Sequence, residues 1–196
     1  MSKPADQQVF AVVLAAGSSQ RFGAIKQLQE VDGAPMVRNC AALARTVCAD
    51  NTLLVAGFEQ QSVVAAAAGE CQFIAINDNY ADGMGSSIAC AAITLAHSAD
   101  ALIILLADQP LITEDHVNAL LGAWSGDDDE IVATAYAGIQ GPPVLLPRST
   151  FPLLAELSGD SGARKILQDS DFRLTSVNFD PAAVDIDRPE DLKQLS

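Results

Sequence analysis

Two stretches of this chain, Val9-Phe-Ala-Val-Val-Leu14 and Ala101-Leu-Ile-Ile-Leu-Leu-Ala107, contain no polar side chain. A strand with one face in water alternates apolar and polar residues. A continuous apolar run must be buried on both faces, as in a parallel strand covered by helices. Thr52-Leu-Leu-Val-Ala56 and Gln72-Phe-Ile-Ala-Ile76 read as further strands. Helical patterns fall between them. Pro35 opens one that runs through Cys48, with Met36, Val37, Cys40, Leu43, Ala44 and Val47 on one stripe. Others are expected over 59–68, 86–97 and 113–124, the last with Thr113 as N-cap. This alternation predicts a three-layer α/β sandwich around a doubly wound, mostly parallel sheet.

After the turn-like cluster Gly126-Asp-Asp-Asp129 the alternation weakens. Strands are expected over 131–136, 143–146 and 173–178, and helices over 161–168 and 189–195. No repeat or linker interrupts the 196 residues, so a single domain is expected.

Hydrophobic residues make up 49% of the chain and aromatic ones only 5%, an aliphatic mix that suits buried parallel strands. The net charge of −14 disfavours a nucleic-acid partner, because the field repels a phosphate backbone. A small phosphate ligand senses only its local loop. Cys40, Cys48, Cys71 and Cys90 form no Cys-x-x-Cys pair and read as reduced, packed thiols. No apolar run approaches a membrane span, and the first eight residues lack the apolar centre of a signal peptide. A cytoplasmic protein is expected.

The first apolar run leads into Leu14-Ala-Ala-Gly17-Ser-Ser-Gln-Arg21-Phe-Gly23-Ala-Ile-Lys26. Ligands of open α/β sheets bind beyond the carboxyl ends of the strands. Small residues there let backbone N–H groups approach phosphate oxygens, while Arg21 and Lys26 add cationic contacts. The loop matches neither a Walker loop nor a dinucleotide fingerprint, and a Gly-containing connection with two surface cations is the plain alternative. The second run ends at Asp108-Gln109-Pro110, which delivers a carboxylate to the same sheet edge. Mg2+ bound to phosphates typically uses one or two carboxylates, so Asp108 is a metal candidate; on position alone a turn aspartate is equally good. His97, His116 and Trp124 read as structural.

Leu14-Ala-Ala-Gly-x-Ser-x-Arg21-Phe-Gly-x-x-Lys26-Gln-Leu resembles the signature of the molybdenum cofactor nucleotidyltransferases, and further matches follow in order over nearly the whole chain. The resemblance implies a Rossmann-like nucleotidyltransferase fold, with a nucleotide half over 9–125 and an acceptor half over 126–196. Leu14, Ala15, Ala16, Gly17, Gly83 and Ser86 would contact the nucleotide. Arg21 would hold the β- and γ-phosphates, and Lys26 would neutralise the α-phosphate. Asp108, with Asp185 or Asp187 from Val184-Asp-Ile-Asp-Arg-Pro-Glu-Asp191, would hold Mg2+ or Mn2+. Glu190 and Asp191 would support the last helix. Gly141, Pro143, Asp160, Gly162 and Arg164 match acceptor segments, although the family often reads Gly-His-Pro where this chain has Gly141-Pro142-Pro143. Ala15-Ala16-Gly17 resembles the cytidylyl branch; a methyl at Ala16 would crowd a purine. The implied reaction transfers CMP from CTP to molybdopterin, with delivery to molybdenum hydroxylases of the xanthine dehydrogenase type. The alternatives are a guanylyl- or other nucleotidyltransferase for another phosphorylated metabolite, and a non-catalytic cofactor carrier.

Overall fold

The computed structural model describes residues 7–19, 22–160, 162–169 and 171–195. In chain order the strands are β1 (Val9–Ala15), β2 (Glu30–Val31), β3 (Ala34–Pro35), β4 (Thr52–Ala56), β5 (Phe73–Ile76), β6 (Ala101–Leu106), β7 (Glu130–Tyr136), β8 (Ile139–Pro147) and β9 (Arg173–Asn178). The helices are α1 (Met36–Cys48), α2 (Gln60–Ala66), α3 (Met84–Leu95), α4 (Glu114–Ala123), α5 (Phe151–Ala155) and the single turn α6 (Arg164–Leu167).

Seven strands form one sheet in the order β5-β4-β1-β6-β8-β7-β9, and β2 with β3 makes a separate hairpin. The pairs β1/β4, β4/β5, β1/β6 and β7/β9 are parallel, while β8 runs antiparallel to both β6 and β7. The reversal follows from the β7–β8 turn, where Ala137 and Gly138 both take positive φ, as a two-residue hairpin of the primed type requires. Asp32-Gly33 does the same between β2 and β3.

Alternate residues of each central strand feed two apolar layers. Val12, Leu102 and Ile104 pack with Ile88, Ala91 and Leu95 of α3 and with Phe151 and Leu154 of α5. Val13, Ile103 and Leu105 pack with Val37 and Ala41 of α1, Val63 of α2 and Val117 and Leu120 of α4. Helices thus cover both faces, giving the expected three-layer sandwich. The two edge strands are the exceptions to burial: Phe73, Ile74 and Ile76 of β5 lie partly in water, and no residue of β9 is fully buried.

Several boundaries differ from expectation. The helix expected from Ser86 begins at Met84 instead. The strand expected over 143–146 extends over 139–147, so Gly141-Pro142-Pro143 lies within β8. Only one turn, 164–167, replaces the helix expected over 161–168, and Ser161 is outside the described residues. The terminal segment 189–195 is 3-10 rather than α-helical. Among the described residues, no helix is long and apolar enough to cross a membrane.

Two contacts prepare the site. Leu14 pairs with Leu106, so the segments after β1 and β6 leave the sheet side by side. A small cluster of Phe22, Met36 and Ile186 then fastens the C-terminal segment across the same edge.

Candidate active site

The turn after β1 is held from within. Gln27, 3% exposed, donates from Nε2 to the Gly17 carbonyl at 2.9 Å and accepts at Oε1 from the Ser19 hydroxyl at 3.0 Å. Ser19 Oγ in turn accepts from the Lys26 backbone N–H at 3.2 Å, while Ser19 itself takes a positive φ of 54°. One buried amide therefore ties the start of the turn to its end. Leu14, Ala15 and Ala16 are buried, with side chains in the two apolar layers. A Cβ added at Gly57 would lie 2.9 Å from the Ala16 Cβ, so the Ala16 methyl packs inward. It does not stand in the cleft to crowd a base, as the sequence reading expected. Arg21 lies outside the described residues.

Lys26 reaches across the sheet edge. Its Nζ donates to Asp108 Oδ2 at 2.5 Å and to Asp187 Oδ1 at 2.7 Å. Three segments of the chain supply this cluster: the first turn, the end of β6 and the C-terminal segment. The Ile186 N–H donates to the Asp108 carbonyl at 2.9 Å, which fixes the third segment against the second. Asp191 Oδ2 accepts from the backbone N–H groups of Asp187 and Arg188 at 3.0 and 2.7 Å, capping the 3-10 turn and steadying Asp187. Burial works against the Lys26 ammonium, but the charge of Asp108 and the hydrogen bonds to both carboxylates outweigh it and raise its pKa. Asp185 keeps an exposed edge. Desolvation of its carboxyl, with the negative charges of Asp108 and Asp187 adding to it, pushes its pKa up to about 6.

The Lys26 ammonium is a cation already held between two carboxylate oxygens from separate segments. It thereby stands in for the kind of ion such a pair attracts. Two carboxylates, with the remaining positions left to phosphate oxygens and water, suit Mg2+ or Mn2+. Among the described residues, no group of three or more His, Cys, Asp or Glu side chains is arranged to hold a metal without such help.

The other expected residues fall around this centre in two groups. Ser86 is tied into its own turn, its single hydroxyl proton shared between the Gly83 and Asn79 carbonyls while its oxygen accepts from the buried Asn77 amide. Gly83 has φ +86°, and a Cβ there would lie 2.4 Å from Asp160 Oδ1. A Cβ at Gly85 would lie 2.9 Å from three backbone atoms of Ser158. Gly85 N–H donates to the Gly159 carbonyl at 2.9 Å, and Gly159 N–H to the Asp82 carbonyl at 2.6 Å. The start of α3 and the 157–160 turn are thus locked backbone to backbone. Gly162, also at positive φ, lies under the Met84 side chain.

The second group surrounds β8. The Tyr136 hydroxyl lies over Gly141, where an added Cβ would approach it to 2.5 Å. Burial raises the Tyr136 pKa and Asp185 adds to it, while Gln109 and the positive charge of Arg164 oppose the rise. Pro143 offers its carbonyl to the Thr134 hydroxyl at 2.7 Å, and Thr134 Oγ1 lies 2.9 Å from His116 Nε2. Since that hydroxyl proton is committed to Pro143, the imidazole must donate at Nε2. His116 also stacks on Phe179 at 4.2 Å, so it is a buried brace, in keeping with the structural role read from the sequence. Gln109 Nε2 donates to the Ala182 carbonyl at 2.9 Å, joining the end of β6 to the C-terminal segment.

Sequence reasoning assigned no role to Gln27, Gln109, Tyr136 or Asn77. Gln27 and Gln109 each follow a residue it did single out, Lys26 and Asp108. That adjacency was the available signal.

The arrangement gathers one cation and two carboxylates beside the first turn, a set chemically suited to a polyphosphate and a divalent cation. The model of the MobA-like NTP transferase domain matches residues 11–176. Nicotine blue oxidoreductase of Paenarthrobacter nicotinovorans is 28% identical over 95% of this chain and 96% of its own length. A molybdenum cofactor guanylyltransferase of Shewanella piezotolerans is 27% identical over 95% of this chain and 91% of its own. The crystal structure of a Mycobacterium tuberculosis Rv0371c homologue, from Mycobacterium sp. strain JC1, superposes with a TM-score of 0.83 at 28% identity. The alignment covers 96% of this chain and 94% of that one.

Proposed function

This chain belongs to the MobA-like NTP transferase domain family, and from that premise we propose that it transfers CMP from CTP to the terminal phosphate of molybdopterin. A nucleotidyltransferase of this family needs a cation for the α-phosphate, a carboxylate site for a metal–polyphosphate complex, and a place for the acceptor. The carrying observation is the meeting of Lys26, Asp108 and Asp187 at one point beside the first turn.

In the proposed reaction an oxygen of the acceptor phosphate attacks the α-phosphorus. The bond to the bridging β-oxygen breaks and pyrophosphate leaves. The attacking phosphate is already ionised near neutral pH, so no general base is required. Catalysis then consists of positioning and charge neutralisation. Asp108 and Asp187 would hold Mg2+ or Mn2+, which would supply charge stabilisation on the phosphate oxygens. Lys26 neutralises the α-phosphate, and the turn braced by Gln27 presents backbone N–H groups to the polyphosphate. Arg21 is assigned the β- and γ-phosphates by resemblance. Gly141, Pro143, Asp160, Gly162 and Arg164 are assigned to the acceptor. Asp187 is favoured over Asp185 because it shares the Lys26 ammonium with Asp108.

The choice of CTP rests on the Ala15-Ala16-Gly17 pattern. GTP is the second reading, favoured by the similarity to a guanylyltransferase. Incubation with each NTP, Mg2+ and molybdopterin, followed by pyrophosphate measurement, separates the two. Turnover with CTP alone is expected, turnover with GTP alone would reverse the assignment, and turnover only with a sugar phosphate would remove molybdopterin. Tight pterin binding with no turnover, unchanged in Asp108→Ala, would instead identify a carrier. Delivery of the product to molybdenum hydroxylases of the xanthine dehydrogenase type is part of the same reading.

A further inference from the structure

We propose that Lys26 is a resident counter-cation of the metal site, so that the site takes its divalent cation as a metal–triphosphate chelate and holds the free ion poorly. This rests on the reading of Asp108 and Asp187 as metal ligands.

The ammonium is not a loose surface charge. Its side chain is 12% exposed and lies between Asp108, 21% exposed, and Asp187, 47% exposed. A divalent cation bonded to the same two oxygens at about 2.0–2.1 Å would lie within about 5 Å of the Lys26 nitrogen. Like charges at that separation, partly shielded from water, repel strongly. A free cation can therefore enter only by displacing Lys26, which would leave a half-buried ammonium without its carboxylates.

A triphosphate changes this balance. Its α-phosphate offers Lys26 a new anionic partner as the two aspartates pass to the metal. The exchange replaces two ion pairs by two others, and no charge is left unpaired. Asp108 and Asp187 fill only part of the coordination shell of such an ion, and phosphate oxygens of the nucleotide can fill further positions. Coupling of this kind is reciprocal: whatever hinders the metal in the absence of nucleotide also favours joint binding of the two.

The inference is tested by Mn2+ titration of the full chain without nucleotide, following free Mn2+ by electron paramagnetic resonance and unfolding by melting temperature. Wild type is compared with Lys26→Met, Lys26→Gln and the double variant Lys26→Met/Asp108→Asn. Removing Lys26 should tighten Mn2+ binding by about 5- to 150-fold, the usual range for coupled sites. Mn2+ should then raise the melting temperature of the Lys26 variants but not of wild type. The double variant should lose both effects. Lys26→Gln keeps a polar side chain and serves if the methionine variant folds poorly. Wild type binding Mn2+ as tightly as the Lys26 variants would overturn the proposal. So would Lys26 variants that gain no affinity, or a gain that survives Asp108→Asn. These readouts need no turnover. An NTP panel without pyrophosphate release would sink the transferase reading and leave this one to its own result.

Discussion

Gly85→Ala tests whether the two halves of the cleft are held together by direct backbone contact. Gly85 sits in the first turn of α3, and a Cβ there would lie 2.9 Å from the N, C and O atoms of Ser158. The obstacle is backbone, so no side-chain rotation relieves it. The 82–86 and 157–160 segments must separate by several tenths of an ångström. Overpacking of this sort costs about 1–3 kcal/mol. Weakening the Gly85–Gly159 hydrogen bond adds about 0.5–1.5 kcal/mol, while alanine's better helix propensity returns about 1 kcal/mol. The net expectation is a loss of about 0.5–3.5 kcal/mol, which at this chain length corresponds to about 2–4 °C in Tm per kcal/mol. Urea denaturation with melting curves measures it, and Gly69→Ala is the control. Gly69 has φ +84° with open space around it, so its cost is conformational alone, about 1–2 kcal/mol. A Gly85→Ala protein within about 0.5 kcal/mol of wild type, or more stable than it, would show that the two turns are not rigidly packed.

Asp108→Asn should lower kcat at least about a hundredfold, and Asp185→Asn by much less, in a pyrophosphate-release assay; equal losses would count against Asp187 as the partner ligand. Gln27→Leu removes both bonds that brace the first turn, so KM for the NTP should rise about tenfold while KM for the acceptor stays near wild type. Burial lowers the His116 pKa, so the unfolded chain takes up this proton more readily than the folded one. Its contribution to stability is therefore intact above about pH 6.5 and is lost as pH falls through the lower folded value. Chemical denaturation across pH should show that decline in wild type and a flatter profile in His116→Gln; parallel profiles would refute it.

What was legible in the sequence is what depends on short-range pattern. Unbroken apolar runs had to become buried strands, and β1, β4 and β6 lie where the runs placed them. Lys26 and Asp108 were legible because each leaves the carboxyl end of such a strand, where a parallel sheet gathers its loops. Boundaries moved where tertiary contacts override local preference. Helix α3 starts two residues early because the Gly159 carbonyl accepts from Gly85 N–H, beyond any local signal. Strand β8 absorbs Gly141-Pro142-Pro143 because the Ala137-Gly138 turn sends the chain back along β7. Neither proline can donate to the ladder, yet the Pro143 carbonyl still finds the Thr134 hydroxyl as its donor.

The residues that escaped sequence reading share a physical reason. Gln27, Gln109 and Asn77 are polar side chains that bridge segments distant in sequence or close a loop, and their partners are mostly backbone carbonyls and hydroxyls. Any residue can offer a carbonyl, so no spacing rule marks where such a bond will form. The same limit explains why Asp185 and Asp187 could not be separated by alternation alone. Both face away from Ile186, and the distinction comes from the fold: Ile186 is pinned by Phe22 and Met36, its N–H is held by the Asp108 carbonyl, and Asp191 caps Asp187 from behind. That three-point fixation turns Asp187 toward the Lys26 ammonium. The geometry of the proposed metal site is thus set in part by an apolar anchor that carries no charge of its own, so Ile186→Ala should weaken Mn2+ binding in a Lys26→Met background although it removes only methyl and methylene groups. Unchanged Mn2+ affinity in that variant would mean that Asp187 finds its position without the apolar anchor.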